Sequence, residues 1–191
     1  TIGLQTDGKK ILGESFNYCH DQYIHNLARI FDDGTIDETF VIQPGTGANE
    51  NVESSIIQPD GKILIGGSFD YYNGVQRKKI ARVNFDGSLD DTFNPGYGAN
   101  SYINALALQI DGKVLVGGDF TSFNDRFHNK IVRLNSNGTI DDSFNTGLGF
   151  NNQVLTFAIQ SDGKIIVGGK FNQFNGSTRN GLVRLNNNGS L

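Results

Sequence analysis

The stretch Gln58–Phe93 reads QPDGKILIGGSFDYYNGVQRKKIARVNFDGSLDDTF, and it decides the fold because the chain repeats it. Its Asp-Gly-Lys triplet begins at Asp60 and recurs at Asp7, Asp111 and Asp162, with steps of 53, 51 and 51 residues. A fixed period of this length is typical of repeat architectures. We therefore divide the chain into approximate copies 1–51, 52–102, 103–153 and 154–191 of a single repeat domain, with the first and last copies incomplete.

The third copy predicts four short strands joined by turns. Asp111-Gly112 and Asn137-Gly138 are typical of tight hairpins, and Asn124-Asp125 begins a longer connection. No segment has the period of a helix, so the sequence predicts an all-β chain. The predicted strands of this copy, called a, b, c and d in order, are Ile103–Gln109, Lys113–Phe120, Lys130–Asn135 and Ile140–Phe144.

Strand b is apolar without alternation, as in Val114-Leu115-Val116, which indicates that both of its faces are buried. A sheet packed between two similar sheets has this property. Strand a contributes a mostly small column, formed by Gly3, Ile56, Ala107 and Ala158. Four-stranded antiparallel blades of about 51 residues predict a β-propeller, or a four-blade segment of one. A β-solenoid is the alternative, but its coils are usually shorter.

A glycine pair follows the apolar part of strand b in three copies. The pairs are Gly66-Gly67, Gly117-Gly118 and Gly168-Gly169, and the first copy has Glu14 in place of the second glycine. Glycine inside a strand often marks a bulge or a close approach of another backbone. We therefore expect a bulge or tightly packed blades at these pairs.

The residues also carry a resemblance to a known family. The pattern Gln-x-Asp-Gly-Lys-Ile-Leu-x-Gly-Gly-x-Phe, then Asn-Gly, then Ala-Arg-x-Asn-x-Asp-Gly-Ser-Leu-Asp-x-x-Phe spans Gln58–Phe93 and resembles the delta-60 repeat family of predicted β-propellers. The match covers nearly the whole chain. The resemblance implies a large bacterial secreted or surface protein or a phage structural protein, and it implies no particular activity.

The composition argues against several classes of function. The 191 residues carry 20 acidic and 16 basic side chains, a formal charge of −4, so nucleic acid is not an expected partner. The one cysteine, Cys19, has no internal partner for a disulfide, and no Cys/His cluster has zinc spacing. No apolar run approaches the roughly 18 residues of a transmembrane helix, so we expect no membrane insertion. The beginning and end of the sequence inside a repeat favour a segment of a larger chain.

The repeated arginine has a structural interpretation. A two-residue turn at Asn137-Gly138 would place Arg133 opposite Asp142, whereas a bulged turn would place it opposite Asp141. Cross-strand pairs of opposite charge stabilise a sheet by about 0.2–1 kcal/mol, so we expect salt bridges rather than an anion site. The equivalent pairs are Arg29 with Asp37 or Glu38 and Arg82 with Asp90 or Asp91, whereas Arg184 has no such partner in the sequence.

No pattern predicts catalysis, a metal or a cofactor. Asn135–Asp141 resembles the middle of an EF-hand loop, but Arg133 and Phe144 would occupy its first and twelfth positions, so plain hairpin turns are favoured over calcium. General acid–base catalysis needs groups within hydrogen-bond reach of one another. The histidines, which do not share one repeat column, are His20, His25 and His128. We therefore predict no catalytic, metal-binding or cofactor-binding residues.

Loop positions that differ between copies are the candidate binding residues. Loops on a rigid scaffold often carry function, and exposed aromatic and arginine side chains favour contacts. The sequence therefore predicts a non-enzymatic scaffold and interaction module of a larger secreted, cell-surface or virion protein. The expected partner is a protein, a glycan or another segment of the same protein. The candidates are Tyr71, Arg77, Lys78, Arg126, Phe127, His128 and Arg179.

Two other functions fit the same sequence. An enzyme would place an unrepeated polar cluster at the mouth of the propeller, where the innermost strands offer Glu53, Ser54, Asn104 and Thr156. A pure structural spacer would have no ligand, and substitutions in its loops would change stability alone.

Overall fold

The computed structural model describes residues 1–19, 22–40 and 47–191. Within these ranges the chain consists of short antiparallel strands and turns, and no helix is present that could span a membrane. The chain forms two compact units, Thr1–Thr92 and Phe93–Leu191, which we call the first and the second unit. Each unit contains all the strands of two copies of the repeat.

Every copy contributes five strands in the same order. The strands of the first unit are β1 (Ile2–Leu4), β2 (Lys10–Gly13), β3 (Tyr18–Cys19), β4 (Gln22–Tyr23), β5 (Leu27–Ile30), β6 (Val52–Ile57), β7 (Ile63–Gly67), β8 (Tyr71–Tyr72), β9 (Val75–Gln76) and β10 (Ile80–Val83). The strands of the second unit are β11 (Ile103–Leu108), β12 (Val114–Gly118), β13 (Ser122–Phe123), β14 (Arg126–Phe127), β15 (Ile131–Leu134), β16 (Val154–Ile159), β17 (Ile165–Gly169), β18 (Gln173–Phe174), β19 (Ser177–Thr178) and β20 (Leu182–Leu185).

Each copy builds one three-stranded antiparallel sheet and one two-stranded hairpin. In the third copy, β12 pairs with β11 on one side and with β15 on the other, whereas β13 and β14 pair with each other in the connection from β12 to β15. The predicted strands a, b and c are confirmed, with their ends shifted by one or two residues. Antiparallel strands place the turn from a to b at one end of each sheet, the turn end, and the hairpin at the other, the hairpin end.

The glycine pair of the third copy has both of its predicted roles. The register of β11 against β12 shifts by one residue beside Gly117 and Gly118, which is a bulge. A side chain on Gly118 would overlap the carbonyl oxygen of Tyr102, and a side chain on Gly117 would collide with Val154 of the fourth copy. Glycine is therefore required here by close approach of neighbouring atoms.

The predicted fourth strand, Ile140–Phe144, is wrong as a strand. A single bridge between Leu134 and Ile140 continues the sheet. Asp141 then begins a tight turn, because its carboxylate accepts hydrogen bonds from the amide (3.1 Å) and the hydroxyl (2.7 Å) of Ser143. Such side-chain turns compete with the backbone ladder of a sheet. Each sheet therefore has three strands, and the fourth strand of the predicted blade is reduced to one bridge.

The arginine pairs are confirmed in the bulged register. The distances from arginine Nε to aspartate Oδ2 are 2.8 Å for Arg29–Asp37, 2.6 Å for Arg82–Asp90 and 2.7 Å for Arg133–Asp141. All six side chains are buried. Burial by itself raises the pKa of these aspartates, but the hydrogen bonds that they accept outweigh it and hold each pKa well below its usual value. The repeated arginine is thus a structural residue in these three copies.

Each unit has its own hydrophobic core. Most of it comes from the apolar strand b of each sheet and from the repeated aromatic columns. Phe69, Phe120 and Phe171, one column of aromatic residues, are buried. In the second unit, Phe150 packs against Phe171 and Phe174 with ring centroids 4.4 and 4.7 Å apart. The cores hold the sheets together, and the ends of the sheets carry exposed side chains such as Ile110 at the turn end and Phe127 at the hairpin end.

Candidate interaction surface at the hairpin end

The hairpin turns depend on asparagine in a left-handed conformation. Asn73, Asn124 and Asn175 occupy the same turn position in successive copies, with φ of 48°, 51° and 47°. Asparagine tolerates this region better than other residues with a side chain because its short amide can form local hydrogen bonds.

The same asparagines fasten each hairpin to the loop that precedes its sheet. The side-chain Oδ1 of Asn124 accepts a hydrogen bond of 3.2 Å from the Gly98 amide. The backbone N–H of Asn124 donates one of 2.9 Å to the Gly98 carbonyl. Asn73 makes the corresponding pair with Gly47, at 2.6 and 2.9 Å. Asn175 does so with the Leu148 amide (3.1 Å) and the Gly149 carbonyl (2.9 Å). The loop and the hairpin are thereby held together as one surface.

A second asparagine column supports the base of each hairpin. Asn100 Oδ1 accepts hydrogen bonds from the amides of Thr121 (2.9 Å) and Ser122 (3.1 Å). Asn49 accepts the equivalent pair from the amides of Asp70 and Tyr71, and Asn151 accepts it from the amides of Asn172 and Gln173. The sequence analysis placed Asn124 at the start of a connection but assigned no fastening role to either column, although both recur in register with the repeat and could have been found in that way.

Large apolar side chains are exposed on this fastened surface. Tyr97, which lies between two glycines in the loop held by Asn124, is 69% exposed, and Phe127 of the adjacent hairpin is 62% exposed. Leu148 lies in the equivalent loop of the next copy and is also exposed. Sequence reasoning missed Tyr97 and Leu148, and the signal was a glycine on each side of a large apolar residue.

In the first unit, the predicted residues lie on and after the β8–β9 hairpin. Tyr71 is exposed and pairs with Gln76. The Arg77 side chain is only 16% exposed, because its guanidinium forms an ion pair of 3.1 Å with Asp91 and also donates to the Gln76 carbonyl. Lys78 is half-buried and forms no ion pair with the described residues. Of these three, Tyr71 is the side chain best placed to meet a partner.

In the second unit, three predicted residues come together on the β13–β14 hairpin. Arg126 is exposed and forms an ion pair of 2.6 Å with the exposed Asp142, and Phe127 lies beside it in the chain. His128 is half-buried, and burial lowers the pKa of its imidazole, with a further lowering by the Arg126 guanidinium. Arg179 belongs to the next hairpin, where it is exposed and donates to the Thr178 carbonyl at 2.6 Å.

The expectation of no catalytic or metal-binding residues stays a prediction. His20 and Asp21 lie outside the described residues. Within the described ranges, no group of three or more His, Cys, Asp or Glu side chains has metal-binding geometry.

The three-stranded sheets, the inter-copy loops and the fastened hairpins define a propeller-type repeat protein. Comparison with protein families agrees, since the family described as "Domain of unknown function (DUF5122) beta-propeller" matches residues 58–93, 109–144 and 160–191. The chain belongs to this DUF5122 β-propeller family. The matched ranges bear out a propeller-type repeat, and the delta-60 assignment in particular stays a prediction. A comparison with the curated proteins finds no match.

Solved structures give the same fold at low sequence identity. A protein assigned as a gluconolactonase is 15% identical with a TM-score of 0.54, over 99% of this chain and 60% of that one. Streptogramin B lyase is 16% identical with a TM-score of 0.52, over 96% and 53%. The extracellular domain of a protein assigned as a one-component system of B. thetaiotaomicron is 16% identical with a TM-score of 0.51, over 96% and 21%.

The chain thus spans about a fifth to three fifths of the length of these three structures. At such identities the likeness shows the fold alone. The all-β, propeller-type fold class is confirmed.

Proposed function

We propose that this chain is a non-enzymatic interaction module of a larger extracellular, cell-surface or virion protein, and that its hairpin end binds a partner protein. The observation that carries the proposal is the exposure of Tyr97 and Phe127 on a loop and a hairpin that Asn124 fastens together. Aromatic and arginine side chains are enriched in protein interfaces. A surface ordered before binding loses less conformational entropy in the complex.

A protein fits this surface better than a small molecule does. The apolar side chains project from loop tips, and Arg126 with Asp142 supplies an exposed charged pair next to Phe127. Interfaces between proteins have this composition, with apolar anchors among polar groups at the rim. The extracellular part of the proposal is supported by the delta-60 resemblance and by an extracellular domain among the structures of similar fold.

The enzyme alternative receives less support from the innermost strands. The Asn104 amide donates to the Val154 carbonyl at 3.3 Å, and Glu53 accepts a hydrogen bond of 3.4 Å from Asn51. These groups therefore have local partners, whereas a catalytic site needs polar groups directed at a substrate. The absence of enzymatic activity is part of the proposal.

A binding screen with matched variants tests the proposed surface. The chain is immobilised and exposed to panels of extracellular proteins and of glycans, and each hit is measured again with Tyr97→Ala, Phe127→Ala and the control Ile110→Ala. Ile110 is a fully exposed apolar residue at the turn end of the same unit. We expect a protein hit whose affinity falls about tenfold with either hairpin-end variant, a loss of about 1.4 kcal/mol, and is unchanged by the control.

Two results would contradict the proposal. No binding above background in either panel would favour the spacer. A protein hit that depends on Ile110 and not on Phe127 would place the protein interaction at the other end of the sheets.

A further inference from the structure

A cleft of about 460 Å³ lies at the turn end of the second unit, away from the hairpin end. Its walls come from the turns of the third and fourth copies that follow β11 and β16, and from Asn187 in the turn after β20. This volume is within the range of about 300–1,000 Å³ that is usual for small-molecule sites. The cleft could not be predicted from the sequence, because its residues come from turns in two different copies.

The floor of the cleft consists of two side-chain amides, of the buried Gln109 and the exposed Asn187, which both accept hydrogen bonds from Arg133. Gln109 is 6% exposed, and its Nε2 donates to Asn187 Oδ1 at 2.8 Å. Arg133 Nη1 donates to Gln109 Oε1 at 3.1 Å and to Asn187 Oδ1 at 2.9 Å. The Arg133 charge is already paired with Asp141. The floor therefore presents fixed polar groups and no free positive charge.

The equivalent position in the first unit holds an aromatic ring. Phe85 occupies the repeat position of Asn187, and its ring centroid lies 4.5 Å from Arg29 Cζ and 5.6 Å from Lys9 Nζ. The Phe85 carbonyl accepts a hydrogen bond from Arg29, as the Asn187 carbonyl does from Arg133. The backbone contact between copies is thus the same, but only the second unit has an amide in place of the ring.

Several polar groups around the cleft have no partner among the described residues. Asn187 Nδ2, the Gln160 side-chain amide, the Ser161 hydroxyl and Asp111 Oδ2 form no hydrogen bond there. They supply donors and acceptors within a single cleft. Ile110 and Ile159 provide the apolar part of the lining. A ligand that fits must carry several hydroxyl-type groups and also C–H surface.

We propose that this cleft binds a neutral polyhydroxylated small molecule, either a monosaccharide or the terminal sugar of a glycan. Adjacent sugar hydroxyls can donate to a carboxylate and accept from an amide, and the C–H face of the ring matches the isoleucine side chains. An anion is disfavoured because Asp111 lines the cleft and Arg133 is already paired. The cleft is a second site, so sugar binding there is independent of protein binding at the hairpin end.

The test is a titration of the whole ¹⁵N-labelled chain followed by NMR. The probes are glucose, galactose, mannose and N-acetylglucosamine, their methyl glycosides, and glucuronate as the anionic comparison. We expect saturable amide shifts at residues 110–111, 160–161 and 187 with at least one neutral sugar, and at least tenfold weaker binding of glucuronate. Binding of the free sugar alone identifies a monosaccharide site, and equal binding of the methyl glycoside identifies a glycan terminus.

Matched variants make the result specific to the cleft. Asn187→Phe introduces the side chain that the chain itself uses at the equivalent position, and it should abolish the shifts. Gln160→Ala removes an exposed side chain without described partners and should weaken binding severalfold, which keeps the test valid if Asn187→Phe fails to fold. Phe127→Ala should leave sugar binding unchanged. The proposal is overturned if no neutral sugar gives saturable shifts, if folded Asn187→Phe still binds, or if glucuronate binds as tightly as the neutral sugar that binds best.

Discussion

Arg133 joins the third copy of the repeat to the fourth, because its Nη1 donates a hydrogen bond of 2.9 Å to Oδ1 of Asn187, 54 positions further along the chain. The same guanidinium is paired with Asp141 through Nε within its own copy. Arg29 makes the equivalent connection to the carbonyl of Phe85 in the first unit. The repeated arginine therefore has two roles, one inside its blade and one toward the next blade in the same unit.

Replacing Arg133 by alanine should destabilise the chain by about 1–3 kcal/mol, because the buried Asp141 carboxylate loses the hydrogen bond from its arginine and keeps Lys113, at 3.0 Å, as its ion-pair partner. Urea unfolding measures the change. The matched control is Arg184→Ala, in the same repeat column but exposed, which should change the free energy of unfolding by less than about 0.5 kcal/mol. Equal effects of the two substitutions would contradict the structural role of the buried pair.

Stability should fall in acid because of the three buried aspartates. Their pKa values are lower in the folded chain than the ordinary value of about 3.9, so the folded state favours the charged form. The stabilisation is fully present above about pH 4–5 and is lost as the pH falls toward the folded pKa values. Urea unfolding at a series of pH values should show this decline, and Asp141→Asn should make it shallower. Asp142→Asn, at an exposed site, should leave the slope nearly unchanged.

Gly118→Ala should destabilise more than Gly176→Ala does. A Cβ at Gly118 would overlap the Tyr102 carbonyl, so the bulge would have to move. Gly176 has open space around it but a φ of 77°, so its substitution costs only the backbone strain, about 1–2 kcal/mol. The loss of stability of each variant is measured by thermal unfolding. It reports the cost of steric overlap for Gly118→Ala and the cost of backbone strain for Gly176→Ala. A smaller loss of stability for Gly118→Ala would show that β11 and β12 can shift their register without difficulty.

Asn124→Gly should release the Tyr97 loop while the hairpin turn keeps its conformation. Glycine accepts the positive φ of this position, but it removes the acceptor of the Gly98 amide. Hydrogen exchange at the Gly98 amide should therefore accelerate. Asn124→Ala should accelerate it as well and should also lower stability further, because alanine is strained at this φ. Unchanged exchange in both variants would mean that the asparagine does not hold the loop.

The repeat period and its turn residues were enough to predict the fold class, strands a to c, and the arginine pairs. The choice between Asp141 and Asp142 depended on one residue in the turn. Gly138, with a φ of 92° and its amide bonded to the Asn135 carbonyl, makes the bulged turn that selects Asp141. Strand d was wrong because the Asp141 carboxylate forms a local turn with Ser143, a competition that apolar periodicity does not reveal.

The candidate surface was predicted only in part. Phe127 and Tyr71 are exposed as expected. The Arg77 guanidinium, however, forms an ion pair with Asp91, which lies 14 positions further along the chain, and this contact depends on how the chain turns after β10. The Gln109–Asn187 floor joins residues 78 positions apart. Neither contact is encoded in local sequence, because each arises from the stacking of one copy on another or from the return of the chain within a copy.

The most direct test of the interaction surface is hydrogen–deuterium exchange of the chain with and without a saturating protein partner from the screen. We predict slower exchange at residues 97–98 and 122–128 and no change at the turn-end residues 110–113. Protection confined to the turn end or to β11 and β16, with the hairpins unchanged, would contradict it.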